Sequence, residues 1–93
     1  MAVSRAERRA AREPRVTAVL GPGRAPAALD ILELVEFAWH DCYGEVTPPD
    51  DVVEDILVCS RGDLPRFARM ARLAVEDRRD LRMAADAVRS GLA

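Results

Sequence analysis

The sequence predicts an all-α protein: a small three-helix domain with a long C-terminal helix, preceded by a basic, partly disordered N-terminal arm. Three observations lead there. No segment alternates apolar and polar residues as a strand does, whereas residues 27–90 repeat apolar side chains at spacings of three and four. Gly and Pro cluster between those stretches, in GPGRAP, GEVTPP and RGDLP. Charge is also divided along the chain. Residues 1–26 hold six arginines and two glutamates, a net +4, while residues 27–93 hold eight arginines and fourteen acids, a net −6.

The arm comes first. SRAERRAAREP reads as a short polar helix that Pro14 ends, because proline has no N–H to continue the ladder. No apolar stripe runs along it, so alone it is marginal. VTAVL (16–20) is a brief apolar run, and GPGRAP (21–26) is a flexible linker. The expected division is residues 1–26 as Arg-rich arm and linker, and 27–93 as helical domain. All fourteen basic residues are Arg and none is Lys, the codon signature of a GC-rich bacterial genome. In such a genome Val16 is an alternative start, which would leave residues 1–15 outside the mature protein.

Three helices follow. The first runs from about Ala27 to Tyr43 and stops at Gly44, a natural residue for the left-handed position after a helix. The second opens at TPPDD with Thr47 as cap and Pro48 in its first turn, and runs to Ser60. Val53, Ile56, Leu57 and Ser60 share its inner face. Asp63 caps the third, which is expected to continue from 63 to 90 because no Gly or Pro interrupts residues 66–90. Its stripe is Leu64, Phe67, Ala71, Ala74, Leu81, Ala85 and Val88, with Arg78 falling inside it. Arg72/Glu76 and Arg82/Asp86, four apart, are expected to pair on its outer face.

AWHDCYGE (38–45) holds the only His, Trp and Tyr of the chain, and one of its two Cys. At about 100° per residue, a wheel centred on Val35 places Ala28, Ile31, Leu32, Ala38, Trp39, Cys42 and Tyr43 inward. It places Asp30, Glu33, Phe37, His40 and Asp41 outward. His40 and Cys42 then point apart and cannot share a metal or act as a thiolate–imidazole pair. Cys42 and Cys59 read as small buried hydrophobes. Trp39 is a core anchor whose N–H finds a carbonyl. His40 sits in water with Glu36 one turn before it. One His, and no Cys–Cys pairing motif, leaves no metal set of the usual kind, and no cofactor is expected.

ALDILELV (28–35) resembles the segment of acyl carrier proteins around the prosthetic-group serine, and EVTPPDD and GDL fall near comparable segments of that family. Leu29, Asp30, Glu33, Leu34 and Val35 match in register. The serine position is Ala28 and the preceding aspartate is Ala27. Without that hydroxyl the chain has nowhere to attach a phosphopantetheine, so the resemblance extends to local helical pattern and not to function.

No phosphate loop, nucleophile–base layout or metal spacing occurs, so no catalysis is expected. No apolar run approaches the ~20 residues that span a bilayer. The arm has no apolar core of a secretory signal, and the expected location is cytoplasmic. The function expected is that of a small interaction or regulatory module that binds another protein or self-associates as a dimer. Phe37, an aromatic ringed by carboxylates, is expected to be covered by VTAVL or the long third helix; the alternative is that, with Leu34, His40 and Asp41, it forms the candidate contact surface for a basic partner. The alternative is nucleic-acid binding by Arg5, Arg8, Arg9, Arg12 and Arg15 of the arm, assisted by helix 63–90.

Overall fold

A computed structural model describes residues 3–92. They form five helices, α1 (Arg5–Leu20), α2 (Ala25–Tyr43), α3 (Asp50–Ser60), α4 (Leu64–Glu76) and α5 (Arg78–Arg89), with no strand among the described residues. The all-α expectation holds. Three parts of it do not: the three-helix count, the long C-terminal helix and the disordered arm.

The arm is helix α1. Ser4 and Glu7 form a capping box, each side chain bonding the other's backbone N–H. The helix passes through Pro14 instead of ending there. Losing one backbone hydrogen bond is tolerated because residues on both sides of the proline are anchored. Arg12 and Arg15 bond acids of α2 and α3, and Val16 and Leu20 are buried in the core. Only residues 21–24 link α1 to α2, so the flexible linker shrinks to a tight turn. Gly62, at the α3–α4 turn, has φ 76°, and a Cβ there would stand 3.1 Å from the Val19 carbonyl oxygen. The end of α1 therefore packs closely against that turn, and the positive φ together with the near carbonyl favours glycine there.

The predicted helix 63–90 is broken at Asp77. This residue is extended (φ −159°, ψ 93°), ends α4 and caps α5, its carboxylate accepting from the N–H groups of Arg79 and Asp80. The cap competes with helix continuation. Arg78, the charge inside the expected stripe, lies at the elbow. Folding back lets α5 pack on both α3 and α4, burying Leu81 and Ala85 in the same core as Ile56 and Phe67. An unbroken 40 Å rod would leave that face wet. Arg72 and Glu76 pair as expected at 2.9 Å, but Arg82 turns to Asp51 and Asp55 of α3, and Asp86 pairs with Arg89.

α2, α3 and α4 enclose the centre, where Trp39, Leu32, Ile56, Leu57 and Phe67 are fully buried. α1 lies against α2, and α5 against α3 and α4. α3 starts at Asp50, not Pro48, so Thr47 is not its cap; that hydroxyl bonds Glu36 instead. Helix ends are closed by neighbours: Arg66 donates to the Cys59 carbonyl of α3, and Tyr43 donates to the Ala74 and Val75 carbonyls of α4. No described helix is long and apolar enough to cross a membrane.

Candidate functional site

The buried residues of α2 centre on Leu32 and Trp39, roughly 60° round the helix from Val35 at 100° per residue. That rotation explains two departures. Glu36 enters the buried face, at 3% exposure, instead of standing in water beside His40. Cys42 leaves it and is exposed, while Cys59 is buried as expected.

Glu36 is the centre of a clamp between α1 and α2. Arg8 donates to both carboxylate oxygens, Arg12 to one (3.3 Å), and the Thr47 hydroxyl to the same one (2.7 Å). Arg12 also donates to Thr47 (2.8 Å), which closes the network. Burial pushes the Glu36 carboxyl up, but the bonds from Arg8 and Thr47 and the nearby arginine charges outweigh it and hold the group below its ordinary 4.5. Further along α1, Arg9 pairs with Asp30 and Glu33, and Arg15 with Glu54 of α3. Arg5 lies 3.7 Å from Glu36 and 4.3 Å over the Phe37 ring. Each of the five arginines of α1 thus meets an acid of the body.

A second clamp holds α5. Asp55 of α3 is 2% exposed and receives Arg82 on one oxygen (2.6 Å). The Arg89 guanidinium lies 2.8 Å from the other oxygen, an ion pair without hydrogen-bond alignment. The two outer helices are secured the same way: arginines reach inward to one buried carboxylate on a central helix.

AWHDCYGE divides between structure and surface. The Trp39 N–H bonds the Glu45 carboxylate (3.0 Å), not a carbonyl. Trp39 and Tyr43 pack with centroids 4.2 Å apart and their rings tilted by 39°, and the Arg78 guanidinium lies 5.8 and 5.5 Å from their ring centres. Glu45 is 3.8 Å from Arg78. Trp39, Tyr43 and Glu45 therefore build a socket for the α4–α5 elbow. His40 and Cys42 lie on the exposed side, and no group of three His, Cys, Asp or Glu among the described residues is placed to hold a metal ion.

The outer face of α2 carries all four candidate contact residues. Leu34 is 66% and Phe37 53% exposed, and His40 and Asp41 are exposed. Neither VTAVL nor the C-terminal helices cover Phe37; its ring faces Arg5 and shares a shallow cleft with His40, Asp41 and Val46. Leu34 borders a second feature, an apolar groove between α2 and α4 lined by Ile31, Ala38, Ala68 and Val75, with Arg72 on its far rim. The sequence reading missed the α4 half of this groove, because it assigned residues 63–90 to one rod with a single inner face.

Among the described residues, the fold and its surface define a five-helix all-α protein with arginine-clamped outer helices and an open apolar groove between α2 and α4. No protein-family model, curated protein or solved structure matches the chain.

Proposed function

We propose that this chain is a helical interaction module, without catalysis of its own, that docks another protein chain or a second copy of itself. The outer face of α2 and its groove with α4 form the docking surface. The observation that carries this is the pairing of exposed Leu34 and Phe37 on one helix with an open apolar groove beside them. A large apolar side chain presented on a helix held by two neighbours loses little freedom when a partner covers it.

Nucleic-acid binding by Arg5, Arg8, Arg9, Arg12 and Arg15 with residues 63–90 is the weaker reading. Arg8, Arg9, Arg12 and Arg15 hold carboxylates at hydrogen-bond distance, and phosphates would have to displace them.

The test is native mass spectrometry of the tagged chain purified from its source cells. A complex present for the wild type and absent for the Leu34→Glu/Phe37→Glu double variant supports the reading. A bare monomer in both overturns it.

A further inference from the structure

We propose that α4 is a second binding surface, for duplex DNA, contacted by Arg61, Arg66, Arg69 and Arg72. The inference goes beyond the docking reading and does not use the arginines of α1. Folding sorts the arginines of the chain. Those of α1 are taken up by acids of the body, and Arg78, Arg82 and Arg89 meet Glu45, Asp51, Asp55 and Asp86. Residues 61–75 differ. They hold four arginines and one acid, Asp63, a net +3 within a chain of net −2. The Asp63 side chain is already engaged as the α4 cap, accepting from the Arg66 N–H. Among the described residues, Arg61 and Arg69 pair with no acid, and the Arg66 side chain bonds only the Cys59 carbonyl. Arg72 is 80% exposed, and its partner Glu76 is exposed too and easily exchanged.

The helix presents these charges together. Arg69 lies at the centre of the outer face of α4, opposite the buried Phe67, Ala71 and Ala74. Arg66 and Arg72 lie about 60° to either side of it, about 9 Å apart along the axis. Arg61 stands in the turn just before α4. It is exposed, and its φ of 51° is the only positive φ of a non-glycine residue among the described residues. Glycine would hold that left-handed conformation at lower cost. Arg61 therefore costs stability that a contact made by its guanidinium would offset.

Two features favour DNA over an acidic protein. First, α3, a three-residue turn holding Gly62 (φ 76°), and α4 have the connectivity of a helix-turn-helix, whose second helix enters the major groove with its first turns. Second, α4 exposes guanidiniums but no large apolar side chain; Pro65 and Ala68 are the exposed apolar residues among them. A protein partner needs an apolar anchor at the centre of its contact. A DNA contact is more polar and strongly positive on the protein side. Guanidinium forks suit phosphates and the guanine edge alike.

The experiment is fluorescence anisotropy of a labelled duplex of about 20 base pairs, titrated with the full chain over a salt series. The wild type is expected to bind at about 50 mM salt, with log K falling against log salt at a slope of about −3 to −4, as four phosphate contacts require. Arg69→Glu/Arg72→Glu should weaken binding by more than about tenfold and make the slope shallower by about 2. Arg61→Gly should weaken binding while raising the thermal midpoint, which loss of a merely structural residue would not do. Arg5→Gln on α1, and Leu34→Glu/Phe37→Glu on the docking surface, should leave the affinity unchanged. The substituted side chains are at the surface, and the far-ultraviolet spectrum checks folding. No anisotropy change at low salt, an Arg69→Glu/Arg72→Glu or Arg61→Gly variant that binds like the wild type, or an equal loss in Arg5→Gln overturns the proposal. Tighter binding of a labelled polyglutamate peptide than of the duplex also overturns it, and would assign α4 to an acidic protein. None of these outcomes touches the docking reading, which stands or falls on a complex lost with Leu34 and Phe37.

Discussion

Arg8 and Glu36 make a two-point contact across the α1–α2 interface: Nε donates to one carboxylate oxygen and a terminal nitrogen to the other (3.1 Å). Both side chains are largely shielded, at 15% and 3% exposure. This pair converts the charge asymmetry of the sequence into a tertiary contact.

Removing Glu36 leaves Arg8 and Arg12, 15% and 12% exposed, with no buried counter-charge and little water. Glu36→Ala is expected to cost about 3 kcal/mol, in the range for breaking a buried ion pair. The measurement is urea unfolding followed by the fluorescence of Trp39. An unchanged midpoint would show that α1 is held by Val16 and Leu20 alone.

Acid should weaken the same interface. Arg15 holds the Glu54 carboxyl below its ordinary 4.5 against the opposing effect of burial, and Glu36 is held below that value too. In the unfolded chain both groups take a proton near 4.5; in the folded chain they do so only at lower pH. The unfolded state therefore binds more protons in that window, and stability falls as pH drops from about 4.5 through the folded values. Urea midpoints between pH 7 and 3 should decline there, and Glu36→Gln should flatten the decline.

The α5 clamp should be asymmetric. Asp55 is buried, whereas Arg82 and Arg89 are 46% and 40% exposed. Asp55→Ala frees two arginines that water can reach. Arg82→Met/Arg89→Met strands a buried carboxylate and is expected to be the worse change, by roughly 2 kcal/mol. Thermal unfolding of the two variants decides the order.

Asp77 sets the elbow through its cap. Asp77→Ala removes acceptors from the Arg79 and Asp80 N–H groups, at a cost of about 1 kcal/mol. Asp77→Asn, which keeps an acceptor, should recover most of it in the same denaturation experiment.

The thiols should separate by accessibility. Cys42 is exposed, and Cys59 is buried with its thiol pushed up, first by burial and then by Asp55. A disulfide reagent should titrate one thiol quickly and the second only as the chain opens. Two fast thiols would show that α3 is loosely held.

Much of this was legible beforehand. Asp30, Phe37, His40 and Asp41 stand outward, and Ile56, Leu57, Phe67 and Trp39 inward, as helical spacing required. Other features had signals that hydrophobicity does not weigh. SRAE at 4–7 is a capping box, and Arg5, Arg8, Arg9 and Arg12 form a helical stripe that Val16 and Leu20 continue. DRRD at 77–80 is a cap inside a run without Gly or Pro. Glu36 misled the wheel because a carboxylate is assigned to water unless its cations are known, and those lie 24 and 28 residues away.

By itself the sequence determined the helical class, most of the core and the faces of the central helices, because those follow from periodicity within a few turns of chain. Only the tertiary structure decided that the basic arm is a docked helix, that the last helix folds back at Asp77, and that Glu36 and Asp55 are buried. Those outcomes depend on which distant charges meet, and a guanidinium contributes differently in water than against a carboxylate shielded by neighbouring helices.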